Sequence, residues 1–95
     1  MNSKERATLR SAANSFEAIV HIGKDGITPN LVQQAWEALA ARELIKCTVQ
    51  QNAPLDTKEA MQALCEATHA QPVQCIGRKF VIYRKADKDS QYNID

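Results

Sequence analysis

Cysteine, glycine, proline and aromatic residues are all scarce in this chain of 95 residues. Three cysteines, Cys47, Cys65 and Cys75, cannot all pair with one another. Each sits singly in an apolar pattern, where a free thiol acts as a small hydrophobe. That argues against a disulfide scaffold and for a reducing, cytoplasmic setting. No apolar run approaches the roughly 20 residues that span a bilayer. Met1-Asn2-Ser3-Lys4-Glu5-Arg6 lacks the apolar stretch of a signal peptide. There are no repeats and no internal linker. Neither sign of charge dominates: 12 Lys+Arg against 11 Asp+Glu leave a net +1, so the total says nothing about nucleic acid.

What is present is an ordinary apolar fraction, 44%, enough for one modest core and one domain. The distribution of charge is more telling than its sum. Residues 1–24 carry Lys4, Arg6, Arg10 and Lys24 against Glu5 and Glu17, a net +2. Residues 77–88 carry Arg78, Lys79, Arg84, Lys85 and Lys88 against Asp87, a net +4. The middle, 25–76, is net −3, and Asp89 and Asp95 make the end acidic. A fold that joins the first helix, the turn near Lys24 and the C-terminal strand has a basic face despite a neutral total. The plain alternative is solvated surface.

Periodicity gives the elements. Residues 3–13 read as a helix capped by Ser3, with Arg6 and Arg10 on one face and Leu9 and Ala13 on another. Ala18–Ile22 is apolar at nearly every position and reads as a central strand. Thr28 is a good N-cap and Pro29 a good first helical residue. The stripe Leu31, Val32, Ala35, Trp36, Leu39, Ala40 then predicts a helix to about Arg42, with Trp36 in the core. Leu44–Gln50 alternates, as a strand with one wet face does. Asp56 and Glu59 form a capping box for a helix to about Ala70. Val73–Ile76, a Gly77-Arg78 turn and Lys79–Arg84 read as a closing hairpin, with Phe80 and Tyr83 both core. Residues 85–95 are polar and aperiodic and read as a loose tail after a single domain over 1–84. The order α-β-α-β-α-β-β predicts a two-layer α/β fold with a four-stranded mixed sheet. The second and third helices share one sheet face. The first helix packs at an edge or on the other face, and the sequence leaves both open.

Between the first strand and the second helix lies Gly23-Lys24-Asp25-Gly26. Glycine lets another backbone approach closely. The first amides of a helix lack partners inside it and carry partial positive charge. With Lys24 at the lip and Thr28 opening the helix, the segment reads as a phosphate seat. Gly-x-x-Gly is also the form with which KH modules clamp nucleic-acid backbones. By itself the spacing is a weak signal, and a tight strand-to-helix turn with one exposed lysine is its plain reading.

Enzymatic readings find less. Gly23-Lys24 is not a Walker loop, since Asp25 follows and the remaining spacing is missing. His21 lies in an apolar strand. His69 and Cys65, four residues apart, have no further metal ligands near them. No nucleophile, base and orienting group stand at a useful spacing. A protein-interaction adaptor and a small phosphate-ligand enzyme are the alternatives to RNA binding.

Five linked segments carry a family resemblance over about residues 4–84. They are Leu9–Ala13, Ile22–Thr28, Arg42-Glu43-Leu44-Ile45-Lys46, Val73–Lys79 and Val81-Ile82-Tyr83-Arg84. The chain resembles the CRM domains (chloroplast RNA splicing and ribosome maturation) in their bacterial stand-alone YhbY-like form. The resemblance implies a fold similar to the C-terminal domain of translation initiation factor three. It also implies RNA binding, with ribosomal RNA of large-subunit precursors as the bacterial partner. The family's loop maps to Gly23, Lys24, Asp25 and Gly26, and its basic positions to Arg10, Lys46, Arg78 and Arg84. The chain departs from the family at Asn14 and Ala18, where histidine and proline are common, and at Asp25, where glycine or asparagine is common. The expected interface, Thr28 and Lys79 included, is a phosphate clamp on RNA held by a monomer, with no catalytic residue, metal or cofactor.

Overall fold

Each helix is started by a side chain that supplies a partner to an otherwise orphaned amide. The computed structural model describes residues 1–87 and 89–92. Helix α1 spans Ser3–Ala13, and its N-cap is Asn2, not Ser3. Asn2 Oδ1 accepts from the Glu5 amide and the Glu5 carboxylate accepts from the Asn2 amide, a complete capping box. Helix α2 spans Pro29–Arg42 behind Thr28. Helix α3 spans Thr57–Thr68 behind the expected Asp56–Glu59 box. The strands are β1 (Val20–Ile22), β2 (Leu44–Val49), β3 (Gln71–Ile76) and β4 (Lys79–Tyr83).

The sheet runs β1-β2-β4-β3. β1 pairs parallel with β2, and β4 lies antiparallel between β2 and β3. The three helices and four-stranded mixed sheet are the predicted architecture, and one strand is misplaced. β1 is a three-residue edge strand rather than a central one, buried at Val20 and Ile22 and exposed at His21. Its apolar run covers α2, while its other face meets solvent.

α2 and α3 cover one sheet face, where Leu31, Ala35, Leu39, Ala60 and Leu64 pack on Val20, Ile22, Ile45, Cys47, Phe80 and Ile82. α1 lies on the opposite face, with Leu9 and Ala13 against Leu44, Val73, Val81 and Tyr83. Phe80 and Tyr83 are therefore both core, on opposite faces of one strand, as expected. Trp36 is not core: it is 41% exposed on α2. Burial in this core pushes the Cys47 thiol up to about 12 and the Cys65 thiol up to about 11, so both stay protonated.

The polar tail is not loose where it is described. Glu43, buried at the α2–β2 junction with φ +65°, aims its carboxylate at Ala86, Ser90 and Gln91. It accepts from the Ala86 amide (3.2 Å), the Ser90 hydroxyl (2.7 Å) and the Gln91 amide (2.6 Å). Tyr92 then packs its ring edge-on to Tyr83, 6.1 Å between centroids. Lys88 and residues 93–95 of the expected tail lie outside the described residues.

Candidate nucleic-acid interface

The glycine loop is a hydrogen-bonded turn. The Gly26 amide donates to the Gly23 carbonyl at 3.0 Å, which puts Lys24 and Asp25 at the exposed tip with their amides outside that bond. Gly26 is buried at φ +67°, and a Cβ there would stand 3.2 Å from Pro54 Cγ. It is thus a packing requirement and not an open approach for a ligand. Gly23 is half-buried beside Gln50, whose Oε1 would meet a Cβ at 3.0 Å.

The start of α2 offers fewer donors than its sequence suggests. Pro29 has no amide hydrogen. The Leu31 amide donates to Thr28 Oγ1 at 3.1 Å, and the Val32 amide to the Thr28 carbonyl at 2.9 Å. Among these first-turn groups the Asn30 amide is left. Thr28 is therefore a cap, its hydroxyl already engaged. A groove of about 510 Å³ lies between this loop, His21 of β1 and the Gln50–Asn52 turn.

The register of the sheet extends the groove. His21 pairs with Thr48, Thr48 with Lys79, and Lys79 with Ile76, so one row crosses all four strands on the α1 side of the sheet. α1 stops short of it, and His21, Lys79 and Ile76 are exposed, Ile76 to 65%. One row further along β2 stands Lys46, half-buried, and a hollow of about 170 Å³ brings Lys46, Lys79, Gln74, Ile76 and Asn14 together. Asn14 ends α1, and Arg10 lies one turn before it on the same helix face. The β3–β4 turn holds Arg78 at the same sheet end as the glycine loop, its carbonyl accepting from the Val49 amide (2.7 Å) and the Thr48 hydroxyl (3.3 Å).

The structure thus gathers Lys24, Asp25, Arg78, Lys79 and Lys46 along one open face, with Arg10 on the bordering helix. Arg84 is elsewhere. Its guanidinium lies 4.2 Å over the Trp36 ring and donates to the carbonyls of Thr68 (3.0 Å) and Trp36 (3.2 Å). It ties α2 and α3 together on the far side of the sheet. His21, Thr48, Gln50 and Gln74 belong to the open face and are not among the residues the sequence assigned to RNA; His21 was weighed only as a catalytic candidate. The alternation Val20-His21-Ile22 was the available signal.

A family model, CRS1/YhbY (CRM) domain, matches residues 1–84. The chain belongs to this family. The chain is 36% identical over 94 residues to Probable RNA-binding protein YqeI of Bacillus subtilis, covering 99% of this chain and 98% of that one. It is 30% identical over 89 residues to a protein named RNA-binding protein from Haemophilus influenzae, covering 93% and 89%. The solution structure of the hypothetical protein SAV1595 from Staphylococcus aureus matches with a TM-score of 0.84 and 39% identity, over 100% of this chain and 99% of that one. Among the described residues of the CRM domain, no group of three or more His, Cys, Asp or Glu is arranged to hold a metal ion. Among the described residues no helix is long and apolar enough to cross a membrane.

Proposed function

We propose that this CRM domain is a non-catalytic, monomeric RNA-binding protein of the cytoplasm that holds ribosomal RNA of large-subunit precursors during assembly. The observation that carries the reading is the continuous open face from the Lys24–Asp25 tip through His21, Thr48 and Lys79 to Lys46. Cations on such a face neutralise phosphates and release their counterions. Amides at the loop tip and at Asn30 add directed donors for phosphate oxygens. The names of the relatives from B. subtilis and H. influenzae agree with RNA as the partner. Contacts of this kind position a backbone and carry little sequence information, so selectivity comes from RNA shape. Asp25 at the tip weakens phosphate binding and leaves the sheet cations with the larger share.

The test is ultraviolet crosslinking in cells, with wild type beside a Lys24→Ala, Lys79→Ala double variant. Wild-type crosslinks should concentrate on large-subunit ribosomal RNA precursors, and the variant should lose most of them. A wild-type pattern spread evenly over unrelated RNAs would refute the ribosomal target. An unchanged variant pattern would refute the interface.

A further inference from the structure

A second cleft of about 560 Å³ lies below Lys46, where the segment joining α1 to β1, the end of α2, the start of β2 and the tail residues 91–92 meet. Its volume is in the range of clefts that hold small ligands, about 300–1,000 Å³. Phe16 and Tyr92 bring half-buried aromatic rings to it, Arg42 and Lys46 bring cations, and Glu17 and Gln91 bring exposed polar groups. The cleft exists because the tail is anchored: Glu43 holds the Gln91 amide at 2.6 Å, which sets Tyr92 in place. Lys46 also lines the hollow it shares with Lys79, so the cleft adjoins the proposed interface at Lys46.

We propose that this cleft receives one unstacked nucleobase of the bound RNA, with cytosine favoured over uracil. The proposal rests on the interface reading and goes further by naming a base site at its lower end. Aromatic rings are the usual platform for a base removed from its stack. Arg42 and Lys46 supply charge for the phosphate of the same nucleotide. Glu17 repels a second phosphate, so the base end faces it. A carboxylate only accepts hydrogen bonds, and the exocyclic amine of cytosine donates where uracil offers another acceptor. Cytosine and uracil have nearly the same size and differ at position 4 and at N3, so the pair tests whether the carboxylate meets the position-4 amine, with the uracil N3–H as the competing donor.

The experiment is a nuclear magnetic resonance titration of the full chain with CMP, UMP and inorganic phosphate, beside a fluorescence titration with a single-stranded RNA 20-mer. CMP should move the amides of Phe16, Glu17, Lys46 and Tyr92 and bind about fivefold more tightly than UMP, the worth of about one hydrogen bond. Glu17→Ala should level the two nucleotides. Phe16→Leu and, independently, Tyr92→Leu should weaken both nucleotides per folded molecule, with the 20-mer still bound; both rings also pack on the α1-side core, so the melting temperature is read beside the affinity. Phosphate alone should move at most Lys46 and leave the amides of Phe16, Glu17 and Tyr92 in place. Shifts confined to residues 23–30, shifts of Phe16, Glu17 and Tyr92 reproduced by phosphate, or equal affinities for CMP and UMP, with the 20-mer still bound, overturn the base site and spare the interface. No binding of the 20-mer overturns the interface on which the base site rests.

Discussion

At the scale of single residues, Arg84 and Lys24 have the same charge and opposite placements. Lys24 stands at an exposed turn tip, so Lys24→Ala should leave the thermal transition nearly unmoved, as surface changes usually do. It should lower RNA affinity, as a binding titration will show. Arg84 is half-buried, stacked on Trp36 and bonded to the Thr68 carbonyl at the end of α3 and the Trp36 carbonyl in the middle of α2. Arg84→Ala should cost about 1–3 kcal/mol of stability, from lost charge-assisted hydrogen bonds and the ring contact. RNA affinity per folded molecule should stay the same. If affinity falls with stability unchanged, Arg84 is a phosphate contact after all. Gly26→Ala forces a side chain into left-handed backbone against Pro54. It should destabilise by about 1–3 kcal/mol, measurable by denaturant titration.

Among elements, the anchored tail and β4 yield the clearest expectations. Burial alone would raise the Glu43 carboxyl. The Gln91 and Ala86 amides and the Ser90 hydroxyl outweigh it and hold the group below its ordinary value of 4.5. A carboxyl lowered in the folded state adds stability that is complete above its unfolded pKa and lost as pH falls through the folded one. The melting temperature of wild type should therefore fall more steeply below pH 4.5 than that of Glu43→Gln. Parallel curves would show that the tail is not tied through this carboxylate. On β4, Phe80 is 1% exposed and packs in the larger core cluster. Phe80→Ala should cost about 3–5 kcal/mol with binding per folded molecule retained. A stable variant that no longer binds RNA would make the sheet interior a stacking platform and displace the clamp.

Across the whole molecule, the open face gathers Lys24, Arg78, Lys79 and Lys46 from a loop, a turn and two strands. With about four phosphates neutralised, log affinity should fall with log salt at a slope of about 3–4. Lys79→Ala should reduce that slope by about 1. A slope near zero would place the contact away from these cations. The elements that produce this face were legible in the sequence because their signals are local. The Asp56–Glu59 box, the Thr28-Pro29 start, the Gly77-Arg78 turn and the strand alternation each act within a few residues. The linked segments that marked the family were equally plain to read. Long-range placement was decided only by the tertiary structure. His21 is exposed because β1 takes an edge, and an apolar run does not say which neighbour will pair with it. Arg84 turns inward because the end of α3 at Thr68 and the middle of α2 at Trp36 converge on it, from positions 15 or more residues away in sequence. The tail is anchored because Glu43, four dozen residues earlier, is buried and draws amides to its charge. Periodicity fixes the face a residue shows on its own element; packing alone fixes what that face meets.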